Sequence, residues 1–333
     1  MPLILSLLTI LAISFFFSWL SRKFHLSEVI GLILAGLILS FPFFRQIVIV
    51  GHEDLIASLA NVGLLTLMFL AGFEVSWRMF AKEEKDAFVV TLFTILTSLI
   101  LGTIVFILLG FSLEAALIMG VCFGITAEAT KARVLIQLKK LKTRLGSLLM
   151  GAGIINDIIG VLFLGIITYI FNKDFSVNEI KILGEVLLAF FAGIAVHYVF
   201  NRFSQKVKIL EKSLFILVVP FFFVNMGMHF NLQSLKMDYR ILLIVIITAT
   251  AGQIIGTILT KPITKLKWKQ LYLVGWGMNS KGAVELAIAF IALQVGLLPV
   301  NLYSALVLTA LTTTILFQII IFRTVKQDPT IMD

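Results

Sequence analysis

One carboxylate stands in the middle of a long apolar run, in a position that suits ion chemistry. Asp157 lies in the sequence Gly-Ala-Gly-Ile-Ile-Asn-Asp-Ile-Ile-Gly, inside an apolar segment of about residues 145–171. A helix of that length is enough to cross a bilayer. A charged side chain near the middle of a membrane is costly and is kept mainly for function. Asp157 is therefore a candidate to bind a proton or a cation, and the alternative is a hydrogen bond that holds two helices together.

The composition indicates a polytopic membrane protein. The chain has 333 residues, of which 60% are hydrophobic and only 14% are charged, whereas soluble domains are about half apolar and a quarter charged. The net charge of +9 falls in short loops between apolar runs, which is typical of membrane topology and argues against a nucleic-acid partner. Cys122 is the single cysteine, so the sequence predicts no disulfide or cysteine-rich metal framework.

The apolar runs predict an all-α fold with about 11 transmembrane helices. The runs have helical length and lack the alternation of membrane strands. Their approximate bounds are 2–20, 28–44, 55–77, 87–110, 113–130, 145–171, 179–201, 209–230, 240–260, 270–295 and 299–322.

The basic residues predict the orientation in the membrane. Of the 27 Lys and Arg residues, 21 fall on one side of the predicted membrane, five fall on the other side and Lys281 falls within a segment. The side rich in Lys and Arg is the cytoplasmic side. We expect a multi-pass protein of a prokaryotic plasma membrane, with the N-terminus outside and the C-terminus in the cytoplasm. In this count Lys131 begins the basic loop after the fifth segment.

Polar residues interrupt the fifth segment near its end. Thr126, Glu128 and Thr130 alternate with small residues and are followed by Lys131. One interpretation is an unwound stretch that faces a cavity, because non-helical backbone in a membrane must be shielded from lipid. The other interpretation is that these residues mark the cytoplasmic end of the helix.

The tenth segment carries a second polar interruption. Ser280 and Lys281 lie among glycines, and Glu285 follows Lys281 at i, i+4, which puts the two charges on one helical face. We predict a discontinuous helix here, and a purely structural Lys–Glu bridge is compatible with it. Gln253, in the ninth segment, is a weaker candidate to point inward.

The order of these features predicts an inverted repeat. Residues 86–171 and 238–323 each form a triplet of segments with a polar break in the middle member, and the two triplets run in opposite directions through the membrane. This arrangement is typical of secondary transporters with a site near the midplane. Residues 1–80 and 178–232 would be scaffold helices, so residues 1–333 would form a single transporter unit without a soluble regulatory domain.

Four motifs together resemble the monovalent cation:proton antiporter superfamily. They are Leu70–Glu74 (Leu-Ala-Gly-Phe-Glu), Asn156-Asp157, Pro220–Gly227 (Pro-Phe-Phe-Phe-Val-Asn-Met-Gly) and Ser280–Leu286 (Ser-Lys-Gly-Ala-Val-Glu-Leu). The resemblance covers nearly the whole chain. It implies two inverted repeats whose discontinuous helices cross near the core carboxylate, and a core domain that moves against a scaffold domain.

The resemblance also implies an ion-binding set. Asp157 would bind either the proton or an alkali cation, and Asn156 would be its partner at the crossing. Thr126 and Thr130 would supply oxygens from the fifth segment. Glu128 is the reserve candidate for a second carboxylate.

A second set of residues would stabilise the core, and two of its features differ from the superfamily's electrogenic branch. The set comprises Lys281, Glu285, Ser280 and Gln253. Asn156 stands where the electrogenic branch has a second Asp, and Gln253 stands near that branch's membrane lysine. Both differences resemble the electroneutral pattern. Lys281 stands where an Arg is usual, which keeps the charge but loses the bidentate geometry.

These features predict a secondary antiporter, not an enzyme. Its substrates would be protons and Na⁺, Li⁺ or K⁺, exchanged one for one without a cofactor. The alternatives are a cation channel, an intramembrane enzyme and a transport-inactive membrane scaffold of the same fold. Compared with the superfamily, the chain lacks about two helices between the sixth and eighth segments, within the scaffold part. A homodimer is therefore left open.

Overall fold

The computed structural model describes residues 2–24, 26, 28–74, 84–171, 177–199, 213–230 and 239–333. These described residues form helices and no β strand. They divide between two compact units: Met1–Val75 with Ser176–Phe230, and Ser76–Phe175 with Asn231–Asp333.

The first unit contains helices from both ends of its discontinuous sequence. They are α1 (Leu3–Lys23), α2 (Glu28–Ser40), α3 (Pro42–Phe44), α4 (Glu53–Glu74), α9 (Val177–Val199) and α10 (Val219–Met228). A π-helical turn, Arg45–Ile49, follows α3, and this pair is bent by 77° from α2. The bend falls at Phe41-Pro42, because a residue before proline disfavours helical backbone and proline can only begin a new helix.

Glycines let the helices of the first unit approach closely. Gly36 of α2 lies against Gly227 of α10, and Gly193 of α9 lies against the backbone of Phe69 in α4. Membrane helices associate through such small residues, because lipid chains are as apolar as leucine and give no hydrophobic driving force. These contacts leave no room for a side chain at Gly36 or at Gly193.

Replacing Gly193 with alanine should destabilise the first unit by about 1–3 kcal/mol, the usual cost of overpacking. A Cβ at this position would meet the Phe69 carbonyl oxygen and would lie 2.8 Å from the Phe73 nitrogen, and neither is a flexible side chain. The measurement is the thermal unfolding midpoint of the purified protein. Gly184 is the control, because it lies in the same helix and has no atom within 4 Å of its added Cβ. An equal loss in both variants would contradict the close-packing argument.

The second unit repeats one order of helices twice. The first copy is α5 (Glu84–Leu108), α6 (Leu113–Gly124), α7 (Glu128–Gln137) and α8 (Arg144–Phe171). The second copy is α11 (Tyr239–Leu259), α12 (Trp268–Met278), α13 (Ala283–Gln294) and α14 (Val300–Gln327). In each copy a long helix is followed by two short helices separated by a break, and then by another long helix. The predicted all-α fold with two discontinuous helices is confirmed.

Six of the described helices are long and apolar enough to cross a membrane, or seven if the bent pair Glu28–Ser40 and Pro42–Ile49 counts as one span. Shorter apolar helical stretches lie in the remaining predicted segments: Leu113–Gly124, Gly184–His197 within α9, Ser213–Met228 ending with α10, and Ala283–Gln294. Each of the eleven predicted segments therefore contains at least one apolar helix among the described residues. The fifth and tenth are the broken ones, and neither half alone is long enough to span a bilayer.

Glycine and small polar residues also hold the second unit together. Gly252 and Gly256 of α11 lie against Ser98 and Thr94 of α5, and Gly102 of α5 lies against Gly120 of α6. Helix α5 therefore packs between α11 and α6. The last residues of the chain join the same unit, because the Leu145 amide donates to the Met332 carbonyl at 3.0 Å and Met332 is buried.

Candidate functional site

The two helix breaks of the second unit lie against each other. The Ala127 amide donates to the Ser280 carbonyl at 2.7 Å, and the Ser280 hydroxyl donates to the Ala127 carbonyl at 3.3 Å. The backbone is extended at Ile125 and Ala127 on one side and at Gly282 on the other. Each break supplies hydrogen-bond partners to the other, which satisfies peptide groups that a membrane cannot hydrate. This pair of breaks is called the crossing below.

Lys281 holds the C-terminal end of α6. Its Nζ donates to the carbonyls of Cys122 at 3.0 Å, Phe123 at 2.7 Å and Ile125 at 2.8 Å. The last carbonyls of a helix have no partner within the helix, and a positive charge stabilises that end of the helix dipole. Gln253 adds to the cap, because its Nε2 donates to the carbonyls of Phe123 and Gly124.

The charge of Lys281 is paired with that of Glu285, four residues later in the sequence. Lys281 Nζ lies 3.9 Å from Glu285 Oε2, and both side chains are fully buried. Thr314 of α14 fixes the backbone at the same residue: its hydroxyl accepts from the Lys281 amide at 3.0 Å and donates to the Lys281 carbonyl at 2.9 Å. Three elements therefore converge on Lys281, and sequence reasoning missed Thr314. Its signal was the run Thr312-Thr313-Thr314 inside an apolar segment.

Thr126 lies in the first break and joins two elements. Its hydroxyl oxygen accepts from Lys131 Nζ at 2.8 Å and from Asn156 Nδ2 at 3.2 Å. Thr126 and Asn156 are both buried, and so is Thr130 in the first turn of α7. Asn156 Oδ1 is a buried acceptor to which none of the described residues donates a hydrogen bond.

The sequence prediction that Lys131 begins a basic loop is wrong. Lys131 lies in α7, which begins at Glu128, and it has 0% exposure. Arg133, also counted in that loop, lies in the same helix. The prediction missed the helical position of Lys131 because α7 begins directly after the break. Polar residues that are typical of the end of a helix are here the start of a second one. The signal was the absence of glycine or proline between Thr126 and Lys139.

One face of α8 lies along the first break. A side chain at Gly153 would meet Lys131 Nζ at 3.0 Å and Glu128 Cβ at 3.2 Å, and one at Gly160 would meet Ile125. Positions 153, 156, 157 and 160 share this face by helical spacing. Asp157 therefore occupies the backbone turn beside the break. Its side chain, like that of Glu74 in the Leu70–Glu74 motif, lies outside the described residues.

The predicted site residues are therefore grouped around the two breaks. Thr126 and Asn156 are in direct contact, and Glu128 packs over Gly153, one turn before Asp157. The second break contains Ser280 and Lys281, and Glu285 pairs with Lys281 from the helix that follows. Lys281 and Gln253 cap the C-terminal end of α6. A buried polar cluster of this kind can bind a small cation or a proton without a larger pocket.

A solved membrane transporter shares the fold of this chain, and a family model shows the family to which the chain belongs. The structure of the sodium proton antiporter MjNhaP1 from Methanocaldococcus jannaschii superposes with a TM-score of 0.65 at 16% identity, covering 98% of both chains. At this identity the likeness shows the fold alone. The model of the sodium/hydrogen exchanger transmembrane family matches residues 10–219 and 184–327, and the chain belongs to this family.

Several curated relatives align over most of this chain. Cation/H(+) antiporter 17 of Arabidopsis thaliana is 26% identical over 94% of this chain, which spans about half of the plant protein (47%). A Na(+)/H(+) antiporter of Enterococcus hirae is 25% identical and is covered to 93%, and the Na(+)/H(+)-K(+) antiporter GerN of Bacillus cereus is 23% identical and is covered to 89%. The Enterococcus alignment has 367 positions for a chain of 333 residues. That relative therefore carries residues that this chain lacks.

Proposed function

We propose that the protein exchanges a monovalent cation for protons, one for one, by alternating access around Asp157. The observation that carries the proposal is the crossing itself: two broken helices, buried and capped by Lys281, beside a helix that contains a carboxylate. Discontinuous helices near the midplane are how transporters bring backbone and side-chain oxygens to an ion. The relatives named as cation/H⁺ antiporters support the same reading.

Exchange follows from the cost of a bare carboxylate in an apolar region. An ionised Asp157 is expensive to hold inside a membrane unless a proton or a cation compensates it. The transporter changes between its outward-open and inward-open conformations readily when Asp157 carries a proton or a cation, and it does not when Asp157 carries neither. The two ions must therefore bind Asp157 alternately. With one carboxylate and one exchangeable charge, each cycle moves no net charge.

The surrounding residues have distinct roles in this proposal. Asn156 Oδ1 and the hydroxyls of Thr126 and Thr130 are hard oxygen ligands that suit Na⁺, Li⁺ or K⁺, and Glu128 is the reserve carboxylate. Lys281, Glu285, Gln253 and Ser280 keep the crossing in place without touching the ion. The second compact unit would be the transport core and the first the scaffold, in a prokaryotic plasma membrane with the N-terminus outside.

The test uses the purified full chain in liposomes with a pH dye inside. Na⁺, K⁺ or Li⁺ is added outside, with and without a potassium ionophore that clamps the voltage. We expect cation-driven proton movement at a rate that the clamp does not change, and the active cation names the substrate. Cation flux without proton movement would instead indicate a channel, and folded protein that is silent with every cation would indicate a transport-inactive scaffold.

A further inference from the structure

We infer that Lys131 competes with the transported cation for the Thr126 hydroxyl and thereby sets the cation affinity of the site. This inference rests on the proposed function and concerns the same site. The Lys131 ammonium lies among the oxygens that would bind the exchanged ion. Lys131 is in α7, directly after the break that contains Thr126.

The local helix geometry directs Lys131 to the break. Helical side chains tilt toward the N-terminus of their helix. Lys131 is in the first turn of α7, so its stem leads back to Thr126, where Nζ lies 2.8 Å from Oγ1. Gly153 makes room for the ammonium, because a Cβ at this position would lie 3.0 Å from Nζ. Any larger residue in α8 at position 153 would crowd the ammonium.

The bonds of Thr126 leave little capacity for a cation. A threonine hydroxyl oxygen has two lone pairs. In this structure the oxygen accepts from Lys131 Nζ and from Asn156 Nδ2, which uses both. An alkali cation also needs a lone pair, and two positive charges a few ångströms apart repel strongly in a medium of low polarizability. A cation can therefore reach Thr126 only when the Lys131 ammonium withdraws from it.

The effect of replacing Lys131 on cation affinity distinguishes competition from a purely structural role. If Lys131 only holds Thr126 in place, removing it loosens the break and weakens cation binding. If Lys131 competes with the cation, removing its charge strengthens cation binding. The two roles predict opposite signs for the same substitution.

The experiment measures cation affinity directly. Purified full-length protein is titrated with Na⁺, K⁺ and Li⁺ as chlorides, and the apparent Kd is read from the rise in thermal unfolding temperature. We expect Lys131→Met to lower the Kd at least tenfold for the transported cation. Lys131→Arg, which keeps the charge, should give no gain. Adding Thr126→Val to Lys131→Met should remove the gain.

Three results would overturn the inference: an unchanged or higher Kd in folded Lys131→Met, a gain of the same size in Lys131→Arg, or a gain that survives Thr126→Val. If Lys131→Met does not fold, Lys131→Gln carries the test: its neutral amide can hold the break by donating to Thr126 but does not repel a cation, so the Kd should still fall, by less than in Lys131→Met, and an unchanged Kd would overturn the inference. Wild-type exchange in liposomes is measured beside these variants. Its absence counts against the proposed function, whereas normal exchange with an unchanged Kd in the variants counts against the competition alone.

Discussion

Replacing Asp157 with asparagine should abolish cation–proton exchange while the protein remains folded. Asparagine keeps the size and hydrogen-bonding shape of aspartate but can neither release a proton nor compensate a cation. The uncharged side chain is also less costly inside a membrane than the carboxylate, so the variant should be at least as stable. The measurement is proton movement driven by Na⁺, K⁺ or Li⁺ in liposomes, together with the thermal unfolding midpoint.

Glu185→Gln is the matched control for this loss. Glu185 is an acidic residue in α9 with an exposed i, i+4 partner, Lys181, at 3.9 Å, and exposed pairs of this kind contribute little. We expect its exchange rate to equal that of the wild type. Appreciable exchange in a folded Asp157→Asn variant would end the assignment of Asp157 as the ion-binding residue and would direct attention to Glu128.

Replacing Lys281 with methionine should prevent stable folding of the second unit. Methionine fills a similar volume but leaves the carbonyls of Cys122, Phe123 and Ile125 without the donor that now reaches all three. It also leaves the buried carboxylate of Glu285 without its cation. Removing one partner of a buried ion pair costs on the order of 3–5 kcal/mol, a large fraction of the total stability of most proteins. The measurement is the yield of monodisperse protein and its unfolding midpoint.

Lys261→Met is the matched control for Lys281→Met. Lys261 is a lysine of the same unit whose Nζ donates to one carbonyl, that of Leu266, at 2.8 Å in a half-buried position. Its loss should cost about 1 kcal/mol, the usual value for one hydrogen bond. The double variant Lys281→Met with Glu285→Gln should recover part of the stability. Wild-type stability in the single Lys281→Met variant would show that the cap is dispensable.

The sequence was sufficient to predict the parts of this fold that depend on local pattern. Run length and composition predicted the helices, and clusters of glycine and polar residues inside apolar runs predicted the breaks at Thr126 and Ser280. The i, i+4 spacing placed Lys281 and Glu285 on one face, where the structure brings them within 3.9 Å. Each of these signals lies within a single apolar run of the sequence.

Other parts of the site depend on contacts that no local pattern records. The cap on α6 joins Lys281 to residues 156 to 159 positions away, and Thr314 reaches Lys281 from another helix. The helical position of Lys131 could not be predicted. In the sequence, a break followed by a second helix has the same pattern as the end of a helix. The burial of Lys131 depends on Gly153 in α8, so only the packing of two elements shows it.

The hydrogen bonds across the crossing can form only after the ribosome has made the second break. Ala127 and Ser280 are 153 residues apart, and a ribosome adding about 5–20 residues per second needs roughly 8–30 seconds to make that stretch. During this interval the first broken helix enters the membrane without the donors that later satisfy the carbonyls of its break. Those carbonyls must meanwhile be met by water or by the insertion machinery. Slowing translation between the two repeats would therefore lengthen the period in which these carbonyls lack their final donors.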